Sequence, residues 1–143
     1  MFRYGLCCPI YCLMPDHLHF LWMGLFSGSD QLNGMKFFRM QFNSVLATQE
    51  AKLQLQPYDH VLKEEERLPT AFETIVEYIA RNPERSDLVA VDQFAKYAYT
   101  GCLIPGYPDV SVFQPDYWDL FWRLHGKLQK DGFVRLVNKE VIS

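Results

Sequence analysis

The chain runs as short apolar stretches separated by charged or turn-forming breaks, and the period of the apolar positions changes along it. From Gly5 to Leu13, the residues Leu6, Cys8, Ile10, Tyr11, Cys12 and Leu13 make a mostly apolar run of strand length, closed by the turn-forming pair Pro15-Asp16. Beyond the turn, His17, His19 and Leu21 fall on one face of a second strand, and Leu18, Phe20 and Trp22 on the other. Together they predict a β-hairpin. Asp30 is an N-cap candidate, and Leu32, Met35, Phe38, Phe42, Val45 and Leu46 recur every three or four residues. That spacing predicts an amphipathic helix to about Ala51, despite Gly34, with Lys36 and Arg39 on its exposed side.

Leu53 to Leu62 is ambiguous: Leu53, Leu55 and Pro57 alternate with glutamines as a short edge strand does, and Tyr58-Asp59-His60 and the charged run Lys63 to Arg67 follow. Pro69 and Thr70 open a second helix with the stripe Phe72, Ile75, Val76 and Ile79. Pro83 disfavours helical geometry at Asn82 and predicts the end there. Past Val91 come segments rich in Tyr and Gly, then an aromatic helix candidate from Asp116 to Leu128 carrying Trp118, Phe121 and Trp122. We read this stretch as an irregular tail packed on the domain.

With 143 residues, 49% hydrophobic and 22% charged, the chain has the balance of one domain with a single core. Such a domain buries roughly two-thirds of its unfolded surface and needs neither disulfides nor structural zinc to fold. No apolar run approaches a membrane span, and no signal-peptide pattern appears, which predicts a cytoplasmic protein. Cys7, Cys8 and Cys12 crowd one apolar segment without C-x-x-C spacing, so they and Cys102 are read as buried free thiols. The net charge of −3 argues mildly against a nucleic-acid partner but leaves room for a local basic face.

His17 and His19, two apart on one strand, can offer paired nitrogen ligands to one divalent ion; by itself the spacing carries little weight. Tyr78 and Asn82, at i and i+4, share a face of the second helix. A phenol with an ordinary pKa near 10 is a weak nucleophile at neutral pH unless a base or a polarised electrophile stands beside it.

The string Tyr11-Cys-Leu-Met-Pro-Asp-His-Leu-His-Phe-Leu-Trp22, followed by Glu77-Tyr-Ile-Ala-Arg-Asn-Pro83 and Leu88-Val89, resembles the single-tyrosine HUH transposases of insertion sequences. The nearer resemblance is to their domesticated relatives, the REP-associated tyrosine transposases. It extends from about Tyr4 to Tyr99 and makes residues 1–100 the transposase-like domain, with 101–143 an aromatic extension of the same unit. It implies an α+β fold, a ferredoxin-like antiparallel sheet with helices on one face, the HUH strand central and the nucleophile on a neighbouring helix. A strand and a helix precede the hairpin in that family, whereas about a dozen residues precede Met14-Pro15 here, so the start is expected to be missing.

The resemblance also implies an activity: nicking and rejoining of hairpin-forming single-stranded DNA through a 5′-phosphotyrosine. It makes His17 and His19 the metal ligands, Asn82 a third ligand or orienting group, Tyr78 the nucleophile and Mg²⁺ or Mn²⁺ the ion. Lys36, Arg39, Arg81 and Arg85 are the candidate DNA-binding cations, and a homodimer is open, because dimers that exchange nucleophile helices and active monomers both occur in the family. Tyr58-Asp59-His60 resembles a family segment preceding the nucleophile helix, with His60 read as structural. The competing reading is a decayed module that binds single-stranded nucleic acid without cutting it. Hydrolases built on three alternating histidines are disfavoured, because Leu21 occupies the third position.

Overall fold

A computed structural model describes residues 2–55 and 60–132. Strands β1 (Leu6–Leu13) and β2 (Leu18–Gly24) form the predicted hairpin, and β3 (Thr100–Leu103) completes a three-stranded antiparallel sheet in the order β2-β1-β3. Pro15 and Asp16 occupy the turn, which is closed by the Met14 N–H donating to the His17 carbonyl at 2.8 Å. The fold is α+β.

As the central strand, β1 is buried nearly throughout, so it reads as a continuous apolar run rather than an alternating one. Its one misfit is Pro9, which has no N–H for the ladder. The registers on both sides shift across it, between Cys7 and Ile10 toward β2 and between Cys8 and Tyr11 toward β3. A bulge there absorbs the missing donor. The Pro9 carbonyl instead accepts the Tyr117 hydroxyl at 2.5 Å, from a residue 108 positions away. Gly5 enters β1 at φ 68°, where a Cβ would collide with the Phe26 ring.

Helix α1 (Gln31–Leu46) starts where Asp30 predicts: the carboxylate accepts from the Asn33 N–H at 2.9 Å and from the Asn33 side chain at 2.7 Å. It ends at Leu46 rather than near Ala51, because a 3-10 turn over Ala47–Gln49 tightens the last residues and Glu50 follows at φ 56°. The segment 51–55 is not an edge strand. The Leu53 N–H donates to the Asn43 Oδ1, and Arg39 donates to the Gln54 carbonyl, so side chains of α1 satisfy backbone that a neighbouring strand would otherwise pair. Tyr58 and Asp59 lie outside the described residues.

Helix α2 (Pro69–Ala80) breaks at Arg81 (φ −85°, ψ 2°), and a single further turn, α3 (Asn82–Arg85), resumes with Pro83 where its missing N–H does no harm. Helix α4 (Tyr117–Lys127) matches the aromatic stripe predicted after Asp116. Phe72, Val76 and Ile79 of α2 join Tyr117, Phe121 and Leu124 of α4 and Cys7, Ile10 and Cys12 of β1 in one core. The stretch read as an irregular tail therefore contributes a strand and half of a helical layer. A division after residue 100 falls inside β3.

Two expectations need correction. Leu21 and Met23 of β2 pack with the α2–α4 core, whereas Phe20 and Trp22, which point the opposite way, meet Phe38 of α1 at 5.5 and 5.9 Å. The helices are thus divided between the two faces rather than gathered on one. Strand β2, expected to be central, is also an edge strand among the described residues, paired only with β1. No helix among the described residues is long and apolar enough to cross a membrane.

Candidate functional site

His17 closes the hairpin turn and His19 lies two residues along β2, which places their rings 4.7 Å apart at 85°. His19 is the Cα partner of Cys12, and Cys12 is the partner of Thr100, so the three stand in a row on one sheet face, the face that carries α2 and α4. Asp16, held in the turn, accepts from His17 Nδ1 at 2.5 Å. That contact engages one ring nitrogen, Nδ1, which is how carboxylates orient metal-binding imidazoles. The same hydrogen bond holds the Asp16 carboxyl below its usual range, helped by the imidazole's charge.

His19 is pushed below its ordinary 6.5, first by burial and then by the charge of His17. It is therefore neutral, a ligand form, near pH 7. Among the described residues, no third His, Cys, Asp or Glu joins the pair in a group able to hold a metal ion. The donor set is two imidazoles with open positions beside them, which suits an ion that also takes substrate oxygens.

Both rings open onto a cavity of about 1660 Å³ bounded by β2, α1 and the segments around Lys52 and His60, with Tyr97 and Tyr99 at the same end. The two tyrosines are set there by β1: the Tyr97 hydroxyl donates to the Leu13 carbonyl at 2.9 Å, and the Leu13 N–H donates to the Tyr99 carbonyl at 2.9 Å. Nothing in the sequence around Tyr97 and Tyr99 marks this return to the hairpin.

Tyr78 and Asn82 are not among the residues that line this cavity. Tyr78 sits on the side of α2 away from the core, 56% exposed, with the Arg85 guanidinium 4.0 Å from its ring centre. Asn82 is buried at 8% exposure, and its amide donates to the Tyr78 and Ile79 carbonyls at 3.2 and 3.0 Å. Its NH₂ group is spent on capping α2, where the break at Arg81 leaves carbonyls without helical partners. Asn82→Ala is expected to cost about 1–3 kcal/mol of stability, read by urea unfolding. If its role is the cap, Mn²⁺ affinity is unchanged in the folded fraction. Weaker metal binding at unchanged stability would make it a ligand.

The four candidate DNA-binding cations separate. Arg39 lines the cavity. Lys36 is exposed on α1 and does not line it. Arg81 is committed to Glu77, Glu84 and Asp92 at 3.0 to 3.2 Å and lies 4.3 Å over the Phe94 ring. These contacts, the Glu77 hydrogen bond foremost, hold its guanidinium charged and occupied. Arg85 donates to the Tyr78 carbonyl at 2.6 Å. His60 binds Glu66 at 3.0 Å and also faces the cavity.

His125, with Nε2 3.4 Å from the Gly24 carbonyl and its ring against Phe121 and Trp122, lies below its ordinary 6.5 because of burial. The unfolded chain therefore takes up protons at His125 and His19 before the folded chain does, and stability falls as pH drops below about 6.5. The melting temperature is expected to decline between pH 7 and 5.5, and His125→Gln to flatten that decline. A flat profile in the unsubstituted protein would remove this account.

Comparison of the chain with family models, with curated proteins and with solved structures finds no match.

Proposed function

We propose that the chain is a metal-assisted single-stranded DNA endonuclease and strand transferase of the single-tyrosine HUH transposase type, working in DNA transposition or in its domesticated form. The observation that carries the reading is the imidazole pair 4.7 Å apart with Asp16 orienting His17, at the mouth of an open cavity. His17 and His19 would hold Mg²⁺ or Mn²⁺, which when bound supplies Lewis-acid polarisation of a backbone phosphate. Tyr78 Oη attacks phosphorus in line, the phosphorus–O3′ bond breaks, and the phenol proton is balanced by protonation of the departing 3′ oxygen. The product is a 5′-phosphotyrosine and a free 3′-hydroxyl. Since one phosphodiester replaces another, a later 3′-hydroxyl can reverse the step without ATP.

Arg85, 4.0 Å from the Tyr78 ring, is placed to meet the negative charge of an arriving phosphate. The reading takes the sheet as part of a ferredoxin-like arrangement; among the described residues β2 pairs only with β1, which leaves an edge that a further strand could extend. Because Tyr78 lies outside the cavity of the imidazoles, the reaction requires α2 to move or a second copy to supply the phenol. That same separation favours the second reading, a module that binds single-stranded DNA without cutting it.

Incubation of the protein with labelled hairpin-forming single-stranded DNA and Mn²⁺, followed by denaturing electrophoresis, separates the two. Endonuclease activity gives a covalent band that carries both label and protein. Retention of the DNA under native conditions with no covalent band establishes the binding module instead.

A further inference from the structure

Four aromatic side chains line the cavity on the α1 side of β2 and form a connected ladder. Phe20 lies 4.9 Å from Trp22 and 5.5 Å from Phe38, and Phe38 stacks on Phe42 at 5.3 Å with only 19° between the planes. None of the four belongs to the α2–α4 core or packs against it, and all four are half-buried. The spacing explains the ladder: Phe20 and Trp22 share a strand face at i and i+2, and Phe38 and Phe42 share a helix face at i and i+4. Helix α1 buries only Gly34, so packing alone leaves these rings unfinished.

The charge around them is the reverse of the chain as a whole. The net charge of the protein is −3, yet among the described residues the cavity wall carries Arg39, Lys52 and Arg67 against one carboxylate, Asp16. That carboxylate is already hydrogen-bonded to His17. Arg39 and Arg67 each use one nitrogen on a backbone carbonyl, of Gln54 and Leu62, which anchors them and leaves further N–H donors for a ligand. Half-buried ring faces interleaved with cations match the chemistry of a strand with unpaired bases and a phosphate backbone, and the cavity that holds them also reaches the imidazole pair on the other face of β2.

We propose that this groove is the DNA-binding site: unpaired bases of a single strand stack on Phe20, Trp22, Phe38 and Phe42, and Arg39, Lys52 and Arg67 track the phosphates. The proposal rests on the function above for the choice of DNA, and it assigns the strand a path along α1 and β2 toward His17 and His19. Stacking makes the groove tolerant of sequence, because every base offers a face. Duplex DNA, whose bases are already stacked on one another, is excluded.

The test is fluorescence anisotropy with a labelled oligothymidine, carried out in EDTA so that neither metal nor cleavage contributes. Phe38→Leu and Phe42→Leu, which keep an apolar side chain but remove the ring, are each expected to weaken binding about tenfold. For three phosphate contacts, the plot of log K against log salt has a slope of about −2, and Lys52→Gln reduces its magnitude by about 0.7. Lys52 is exposed, so this readout is independent of any loss of folding in the ring variants.

Unchanged affinity in both folded ring variants would overturn the proposal, as would an unaltered salt slope in Lys52→Gln, or a duplex or oligouridine bound more tightly than oligothymidine. Loss of oligothymidine binding in the ring variants with no covalent adduct in Mn²⁺ supports the groove and removes the nuclease. An adduct formed while both ring variants bind normally does the opposite.

Discussion

Tyr78→Phe is expected to abolish the covalent DNA adduct while leaving single-stranded binding within about twofold of the unsubstituted protein. The variant removes one oxygen, and that oxygen carries the whole of the proposed bond to phosphorus. The ring, its stacking on Arg85 and the carbonyl that accepts from Asn82 and Arg85 are all retained, so the local structure has no reason to change. His17→Ala breaks a different part: the proposed seat for the ion and the contact with Asp16 at 2.5 Å. It is expected to lower cleavage by at least tenfold and to flatten its dependence on Mn²⁺. Mixing the two variants then reads the geometry. If a second copy supplies the phenol, each variant carries what the other lacks, and the mixture recovers adduct; if α2 moves within one chain, the mixture stays inactive. An adduct formed at full rate by Tyr78→Phe would end the tyrosine mechanism.

The elements that sequence reveals are those whose cause is local. The hairpin follows from Pro15 and Asp16 between two apolar runs, α1 from the Asp30 cap, and α2 and α4 from stripes at helical spacing. The rest depends on contacts distant along the chain. Pro9 sits in a central strand only because a bulge and the Tyr117 hydroxyl, 108 residues on, satisfy what it disrupts. Strand β3 is four residues long and is defined by its pairing with β1, so nothing within Thr100–Leu103 marks it. The candidate site divides in the same way. The imidazole pair is legible because strand geometry alone brings i and i+2 together. Placing Tyr78 and Asn82 beside it required knowing which face of α2 meets the sheet. The stripe Phe72, Val76 and Ile79 answers that: it turns Tyr78 outward. Arg39 and Arg81 look alike in sequence, but only the environment shows one facing a cavity and the other bound to three carboxylates.

Phe72→Ala is expected to cost about 3–5 kcal/mol, a large share of the 5–15 kcal/mol by which domains of this size are ordinarily stable. Phe72 is 1% exposed and lies between α2 and α4, with its ring 5.7 Å from Trp118, 5.4 Å from Trp122 and 6.4 Å from Phe121. Three large rings cannot close over the space left by a fourth without leaving their rotamers, so the cavity persists and its cost adds to the lost burial. Urea unfolding should show a much lower midpoint at an unchanged slope. Phe42→Leu, in the half-exposed ladder outside this core, should shift the midpoint far less. The contrast tests the division of the molecule into a packed layer, α2 and α4 on β1, and a proposed binding layer, α1 over β2, whose rings are only half-buried. Equal costs at the two positions would mean that the ladder is core rather than a surface kept for a ligand, and the groove would lose its physical basis.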